Sequence, residues 1–514
     1  MPLTILRDAD VRILLSKLTR DDVEYLQNSL SRALHEYSTG TSMEGCSSGN
    51  QPERTVIESH KGNTTLFMPS TSSSGIGMKV VTLAASRSGE AGPPSPSFLE
   101  KPAPLTTPQG ALSLMDTEGK PFGYLNAEEL TAFRTALASS LLLVRRRKVK
   151  TVLVFGVGKQ AYWHIRLSLM LFGTTIKHVQ FVNRSFGERA KECMKTFVQF
   201  DPVAKEKEGW TGTTFGIFTP GYGEYERLLK DQIRQADVIY TTTPSTEPLF
   251  DHTYLTNTEG RKKGRLIVAI GSYKKTMIEL PHELVHQAVK RHGTGHHFHK
   301  HAEEGGAVIV DTLACVSQTG ELTQAHIHET QTVELGELVL LESLASDDSS
   351  SAISDSPSRR GSMDVSIESL NLGDNTPSMA QVFREPASLP HTDSTASAST
   401  MSSTTSGRSP RSSMSLSRKG SMSNPFHKRS DSASTATAST PSSSIFHKRS
   451  GSMSSSTKKK PRKQTEKENE MCRWLRNGNV IYKSVGMGLM DLVVGSDLVT
   501  LARSNGVGVT VEDF

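Results

Sequence analysis

Two kinds of hydrophobic patterning divide the chain. The first is helical spacing and strict alternation, which fills the N-terminal quarter. From Thr19 the segment TRDDVEYLQNSLSRALHEYS sets Val23, Leu26, Leu30, Ala33, Leu34 and Tyr37 on one helical face, with Thr19 as N-cap and Asp22 in the first turn. ERTVIES, TTLFMPS and MKVVTLA then read as strands of a sheet, parted by glycines and serines. ALSLMD and PFGYLN continue it, and EELTAFRTALASSLLLV is helical. The second kind begins at Thr151. TVLVFG, HVQFVN, DVIYTTT, RLIVAIG and AVIVD are short unbroken apolar runs with helical segments between most of them. Such runs suit strands buried on both faces, as in parallel βαβ units. Near the end, NVIYKSVGMGLMDLVVGSDLVTLARS reads as a strand followed by a helix.

Composition changes this picture in one region. The 514 residues suffice for two or three domains, yet only 35% are hydrophobic. The deficit lies in residues 346–469, where Ser and Thr dominate and Trp, Tyr and Cys are missing. That stretch cannot bury enough apolar surface to offset the entropy of ordering it, so disorder is expected there. A shorter Pro-, Ser- and Gly-rich insertion covers 86–110. The net charge of +6 is mild for this length and gives no reason to expect nucleic acid. Cys46, Cys193, Cys315 and Cys472 are far apart, which suits reduced intracellular thiols and no metal site. No run of 18 apolar residues exists, and charges interrupt the N-terminal segment where a signal peptide needs an apolar core. The expected location is cytoplasmic, with no membrane partner.

The chemistry begins at VLVFGVGKQAYWHI. Gly156, Gly158 and Ala161 fit the G-x-G-x-x-A form of the dinucleotide fingerprint, after a strand and at the start of a helix. The first glycine permits the tight turn, the second admits a pyrophosphate, and Ala161 lets helix and strand pack closely. Lys159 and Gln160 supply backbone N–H groups at the helix start. The next strand ends in Asn183, Arg184 and Ser185, where an NAD-selective site would place a carboxylate on the ribose. Arg184 suits a 2′-phosphate, so NADP(H) is the expected cofactor, with NAD(H) possible. Thr243 and Pro244 lie where folds of this kind pass beside the nicotinamide ribose, and Gly271 ends a later strand.

Together GVGKQAYWH, VNRSFGERA, ADVIYTTTPSTEPLF, ELTAFRTALAS and KSVGMGLMDL resemble the ornithine cyclodeaminase/mu-crystallin family, over nearly all of residues 1–345 and 470–514. The resemblance implies an α/β architecture: a Rossmann-type doubly wound parallel sheet over 135–310, plus a split α+β substrate-binding and dimerisation domain. The latter would start with 1–134 and return in 311–345 and 470–514, with 346–469 as an insertion. The resemblance also implies a small amino or imino acid as partner and a homodimer. Arg54, Lys79 and Arg134 match the positions that meet the substrate carboxylate, with Lys79 and Arg134 as the catalytic pair. An arginine fork holds a carboxylate through two parallel bonds, and a lysine can pass a proton to an imine nitrogen.

The chain departs from the family at IVAIGSYKKTMIELP. Tyr273 stands where ornithine cyclodeaminases carry a carboxylate. A phenol is a poor replacement for an ionised base, so deamination with ring closure is in doubt while hydride transfer is not. The sequence therefore points first to reduction of a cyclic imino acid by NAD(P)H. The alternatives are ornithine cyclodeaminase with NAD, and a phospho-regulated NADPH-binding sensor. The sensor reading rests on RRGSM, RKGSM and two HKRS copies, whose serines suit basophilic kinases and a phosphoserine reader. HELVH at 282–286 matches H-E-x-x-H, but Pro281 and its place after a Rossmann strand argue for an ordinary helix. Five histidines between His292 and His301 read as a solvated loop.

Overall fold

The computed structural model describes residues 2–40, 51–83, 108–290, 305–339 and 471–514, apart from 61, 222 and 513. The expectations for 346–469, the histidine-rich stretch and most of 86–110 fall outside these residues. The end of that shorter insertion belongs to a strand that starts at Gln109.

A seven-stranded mixed sheet comprises β1 (Leu3–Leu6), β2 (Thr55–Glu58), β3 (Thr64–Ser72), β4 (Gly75–Leu83), β5 (Gln109–Met115), β6 (Pro121–Asn126) and, from the far end of the chain, β15 (Val509–Val511). Its order is β15-β1-β6-β5-β4-β3-β2, with only β1 and β6 parallel. The two ends of the chain thus close one edge together. Alternation decides the faces: in β4, Gly75, Gly77, Lys79 and Val81 point inward while Ile76 and Met78 are exposed. Helix Arg20–Thr39 packs on helices Ala127–Leu143 and Gly488–Asn505, which cover the inner side of the sheet. Thr19 caps the first of these, accepting a bond from Asp22 N while the Asp22 carboxylate receives Thr19 N.

Helix Ala127–Leu143 leads from this sheet to the next. It is buried along most of its length, and Asn126 caps it by accepting Glu128 N. Trp163 Nε1 donates to Glu129 at 2.6 Å, and the Phe133 and Trp163 rings meet edge-on at 5.1 Å, fixing it against helix Lys159–Phe172.

The second sheet has eight strands, all parallel: β7 (Thr151–Phe155), β8 (His178–Val182), β9 (Thr214–Phe218), β10 (Val238–Thr241), β11 (Leu266–Ala269), β12 (Ala307–Val310), β13 (Val333–Glu334) and β14 (Val480–Lys483). The order β13-β12-β14-β11-β10-β7-β8-β9 places the switch point between β7 and β10. Two segments expected in the split domain belong here instead. β13 pairs with β12, and β14 wedges between β11 and β12. The reason is visible in β14: Val480, Ile481, Tyr482 and the stem of Lys483 are all buried, as a central strand covered on both faces demands.

Candidate active site

The loops at the carboxyl ends of β7, β8, β10, β11, β12 and β14 carry nearly all the singled-out positions. Gly156 follows β7 with φ +105°, a conformation that L side chains rarely adopt. A Cβ there would lie 2.7 Å from Thr242 Oγ1, whereas one on Gly158 would meet nothing within 4 Å. Gly158 is the N-cap of helix Lys159–Phe172 and makes no side-chain cap, so the first N–H groups face open space. Ala161 is fully buried beneath them. This cradle fits a pyrophosphate. The Lys159 ammonium turns away from it, to Glu129 at 2.6 Å and Glu128 at 2.9 Å, so Lys159 offers its backbone. Gln160 reaches Thr131 O at 3.5 Å. After β8, Asn183 Nδ2 donates to Ser185 O at 2.7 Å, and Arg184 and Ser185 are exposed with no acidic residue between Val182 and Gly187.

Glu279 organises the next two loops. Its fully buried carboxylate accepts Thr243 N (2.7 Å) and Thr243 Oγ1 (3.0 Å) on one oxygen, and Gly271 N (2.7 Å) and Ser272 N (3.3 Å) on the other. The β10 loop with Thr243 and Pro244 is thereby clamped to the β11 loop. Gly271 is required at this junction, because a Cβ would strike Thr243 O at 2.1 Å. Burial raises the Glu279 pKa, against Lys483 and the Thr243 N–H. Behind it, Lys483 Nζ donates to Ser272 O at 2.6 Å and to Ser272 Oγ, and Ser272 Oγ donates to Glu321.

The cations gather on the mixed-sheet side. Lys79 Nζ and Arg134 Nε bind the same atom, Asp491 Oδ1, at 2.9 Å and 3.0 Å. All three residues are buried. Three elements meet to make this cluster: β4, the linking helix, and helix Gly488–Asn505, which lies close to the sheet opposite Gly77. Burial pushes the Lys79 pKa down to about 8, with Asp491 opposing and Arg134 adding to the shift. The Arg134 guanidinium lies against Gly486, where a Cβ would come within 2.6 Å. Asp311, fully buried after β12, fixes that loop by accepting Ser484 Oγ (2.9 Å), Val485 N (3.0 Å) and Gly486 N (2.6 Å).

Arg54 lies within electrostatic range of Cys315 and Asp311. It donates to Gln318 Oε1, and burial lowers its pKa while Cys315 and Asp311 oppose. Tyr273 is half-buried on the β11 loop, and burial raises its pKa. Its neighbour Lys274 reaches across to Thr64 of β3 at 2.8 Å, tying this loop to the mixed sheet. Arg184 stands apart from the cation group, beyond β8. Sequence reasoning missed Asp491, Glu279 and Lys483; each is an isolated charge in an apolar run, which is the signal that could have found them. HELVH forms helix His282–Val289, with Leu284, Val285 and Ala288 buried and both histidines outward. Among the described residues no His, Cys, Asp and Glu group could hold a metal ion, and no helix is long and apolar enough to cross a membrane.

A doubly wound parallel sheet with a glycine turn at the start of a helix places the chain in the class of Rossmann-type α/β folds. Comparison with known proteins narrows it. The chain is 29% identical over 237 residues to a Delta(1)-pyrroline-2-carboxylate reductase of Bacillus cereus, covering 44% of this chain and 59% of that protein. It is 30% identical over 182 residues to an uncharacterized cyclodeaminase of Dictyostelium discoideum, covering 34% and 48%. The matches span about half to two thirds of the curated relatives' length. The fold is that of a Thermococcus litoralis Delta(1)-pyrroline-2-carboxylate reductase solved with NADH and L-proline, with TM-score 0.53, 15% identity, and 99% and 100% of the two chains covered. No family model matches the sequence. These relatives bear out the resemblance to the ornithine cyclodeaminase/mu-crystallin family: the chain is homologous to its cyclodeaminases and imine reductases.

Proposed function

We propose that the chain is an NAD(P)H-dependent reductase of a small cyclic imino acid. The observation that carries this reading is the buried cluster of Lys79 and Arg134 on Asp491. Two cations against one carboxylate leave a net positive charge, and Arg54, held by Gln318, is the further cation this reading assigns to the substrate. Such a site recruits a substrate carboxylate, with the arginines as the fork. When bound, the nicotinamide supplies the hydride. The proton for the imine nitrogen comes from Lys79, whose pKa of about 8 keeps it charged yet acidic enough to donate near neutrality. Tyr273 stays protonated, because burial raises its pKa further. It therefore contributes packing or a hydrogen bond to substrate, not an ionised base, and this favours reduction over cyclodeamination. Relatives named as a Delta(1)-pyrroline-2-carboxylate reductase and a cyclodeaminase favour an enzyme over the sensor reading.

The cofactor cradle is formed by Gly156, Gly158, Ala161 and the N–H groups of Lys159 and Gln160. Thr243, Pro244 and Gly271 line the nicotinamide side, held by Glu279. Asn183, Arg184 and Ser185 face the ribose, and Arg184 favours NADPH. The outer face of the mixed sheet exposes Ile57, Ile76, Met78, Tyr124 and Val509 together, which suits a homodimer; sedimentation as a monomer would contradict that. A cytoplasmic location is part of this reading, and the basic-flanked Ser362, Ser421 and Ser450 of the 346–469 insertion suit a basophilic kinase. The test of the function is a panel of cyclic imino acids with NADPH or NADH, read by absorbance, beside ornithine with either oxidised cofactor. NADPH consumption without ammonia release from ornithine is expected. Proline and ammonia from ornithine would replace this reading with cyclodeamination.

A further inference from the structure

The parallel strands have a second functional end. β7, β10, β11 and β14 start side by side, at the opposite end from the glycine turn. Their leading segments line a cleft of about 470 Å³ bounded by Arg146, Arg147, Lys148, Asp237, Lys263 and Arg476. The one carboxylate among these is committed: Asp237 accepts Lys150 N at 2.7 Å and Thr151 N at 2.9 Å, and pairs with Lys263 at 2.7 Å. Arg146 is committed too. It is buried and donates to Leu475 O at 3.2 Å and Gly478 O at 2.9 Å, fixing the turn that carries Arg476. Arg147 N donates to Arg476 O at 3.2 Å, which holds two exposed arginines side by side, with Lys148 next to them.

We propose that this cleft is a phosphate-binding site, with Arg147, Lys148 and Arg476 as its ligands. Three exposed cations on a framework pinned by Arg146 match the charge and the several acceptor oxygens of a phosphate monoester dianion better than a carboxylate monoanion. A concave wall of net positive charge, its one carboxylate paired with Lys263, also concentrates an anion there. The monoester has two sources: a free small molecule, or a phosphoserine of the chain itself. The Ser/Thr-rich insertion rejoins the described chain at Met471, next to Arg476, and carries basic-flanked Ser362, Ser421 and Ser450. The tether from Ser450 to Met471 is at most roughly 75 Å when fully extended, so reach is not limiting. A tethered phosphoserine also profits from an effective concentration of order mM.

The test is calorimetric titration of the full, unphosphorylated chain with O-phosphoserine, repeated on the double variant Arg147→Ser, Arg476→Ser. Both side chains are exposed, and a thermal melt checks that the variant is folded. Saturable binding that weakens with salt, and by about tenfold for each guanidinium removed, is expected. No binding to the unmodified chain, or equal affinity in the double variant, overturns the proposal. A second arm uses the chain phosphorylated by a basophilic kinase. Loss of O-phosphoserine binding there identifies the insertion as the source, and unchanged binding identifies a free phosphate compound. The readout is binding and not turnover, so it stands or falls independently of the reductase reading.

Discussion

The two sheets contribute to the proposed site in different ways. The parallel sheet offers backbone: the turn at Gly156, the N–H groups after Gly158, and loops clamped by Glu279. The mixed sheet and its covering helices offer side chains: Lys79, Arg134 and Asp491, buried and mutually paired. Backbone cradles accept a common ligand through features many sequences can supply, whereas a buried charge cluster is specific to one chemistry. It also costs stability if it is incomplete. The same fold can therefore keep its cofactor while changing its reaction at a position such as Tyr273.

This contrast can be broken at several points. The largest effect is expected from Lys79→Met, which should lower kcat for imine reduction by about 10²–10⁴-fold while NADPH affinity is unchanged. In the unsubstituted protein kcat should fall as pH rises through about 8, because the donating form of Lys79 is the protonated one. A flat profile up to pH 10 would remove Lys79 as donor. Asp491→Ala leaves two buried cations without their carboxylate and should cost about 3–5 kcal/mol in denaturant unfolding. A loss under about 1 kcal/mol would mean that the two cations do not depend on the Asp491 carboxylate. Glu279→Gln disturbs four hydrogen bonds to two loops and should weaken dinucleotide binding about tenfold, with the imino acid KM nearly constant. If instead the imino acid KM alone rises, Glu279 serves the substrate side. The smallest effect is expected from Arg184→Ala, a loss of at most about tenfold in NADPH preference, since its guanidinium is exposed. Unchanged preference would leave the 2′-phosphate argument without support.

Much of the parallel sheet was legible because strands buried on both faces write themselves as unbroken apolar runs. TVLVFG, HVQFVN and RLIVAIG are the strands β7, β8 and β11. β9 was not, since Thr214–Phe218 holds a glycine and lies half-buried at the sheet edge. The membership of β14 was hidden for another reason. Its strand character is local, but its neighbours β11 and β12 are set by packing across the long insertion. Lys79 and Arg134 were found through family resemblance, not through pattern. A lysine is ordinarily read as solvent-facing even where it shares the inward parity of Val81, and the approach of Asp491 from the C-terminal helix is what supplies its buried charge with a partner. Arg54 lacks even that parity, and its partner Gln318 is far along the chain.

The proposed reaction depends on Arg54, Lys79 and Arg134 together receiving the substrate carboxylate opposite the nicotinamide. The most direct measurement is a crystal structure of the full chain with NADP and a saturated cyclic amino acid such as L-proline. The carboxylate is expected within hydrogen-bonding distance of the Arg134 and Arg54 guanidiniums, with the ring nitrogen near Lys79. A carboxylate bound elsewhere, with the Lys79–Asp491–Arg134 cluster sealed away from the ligand, would contradict it.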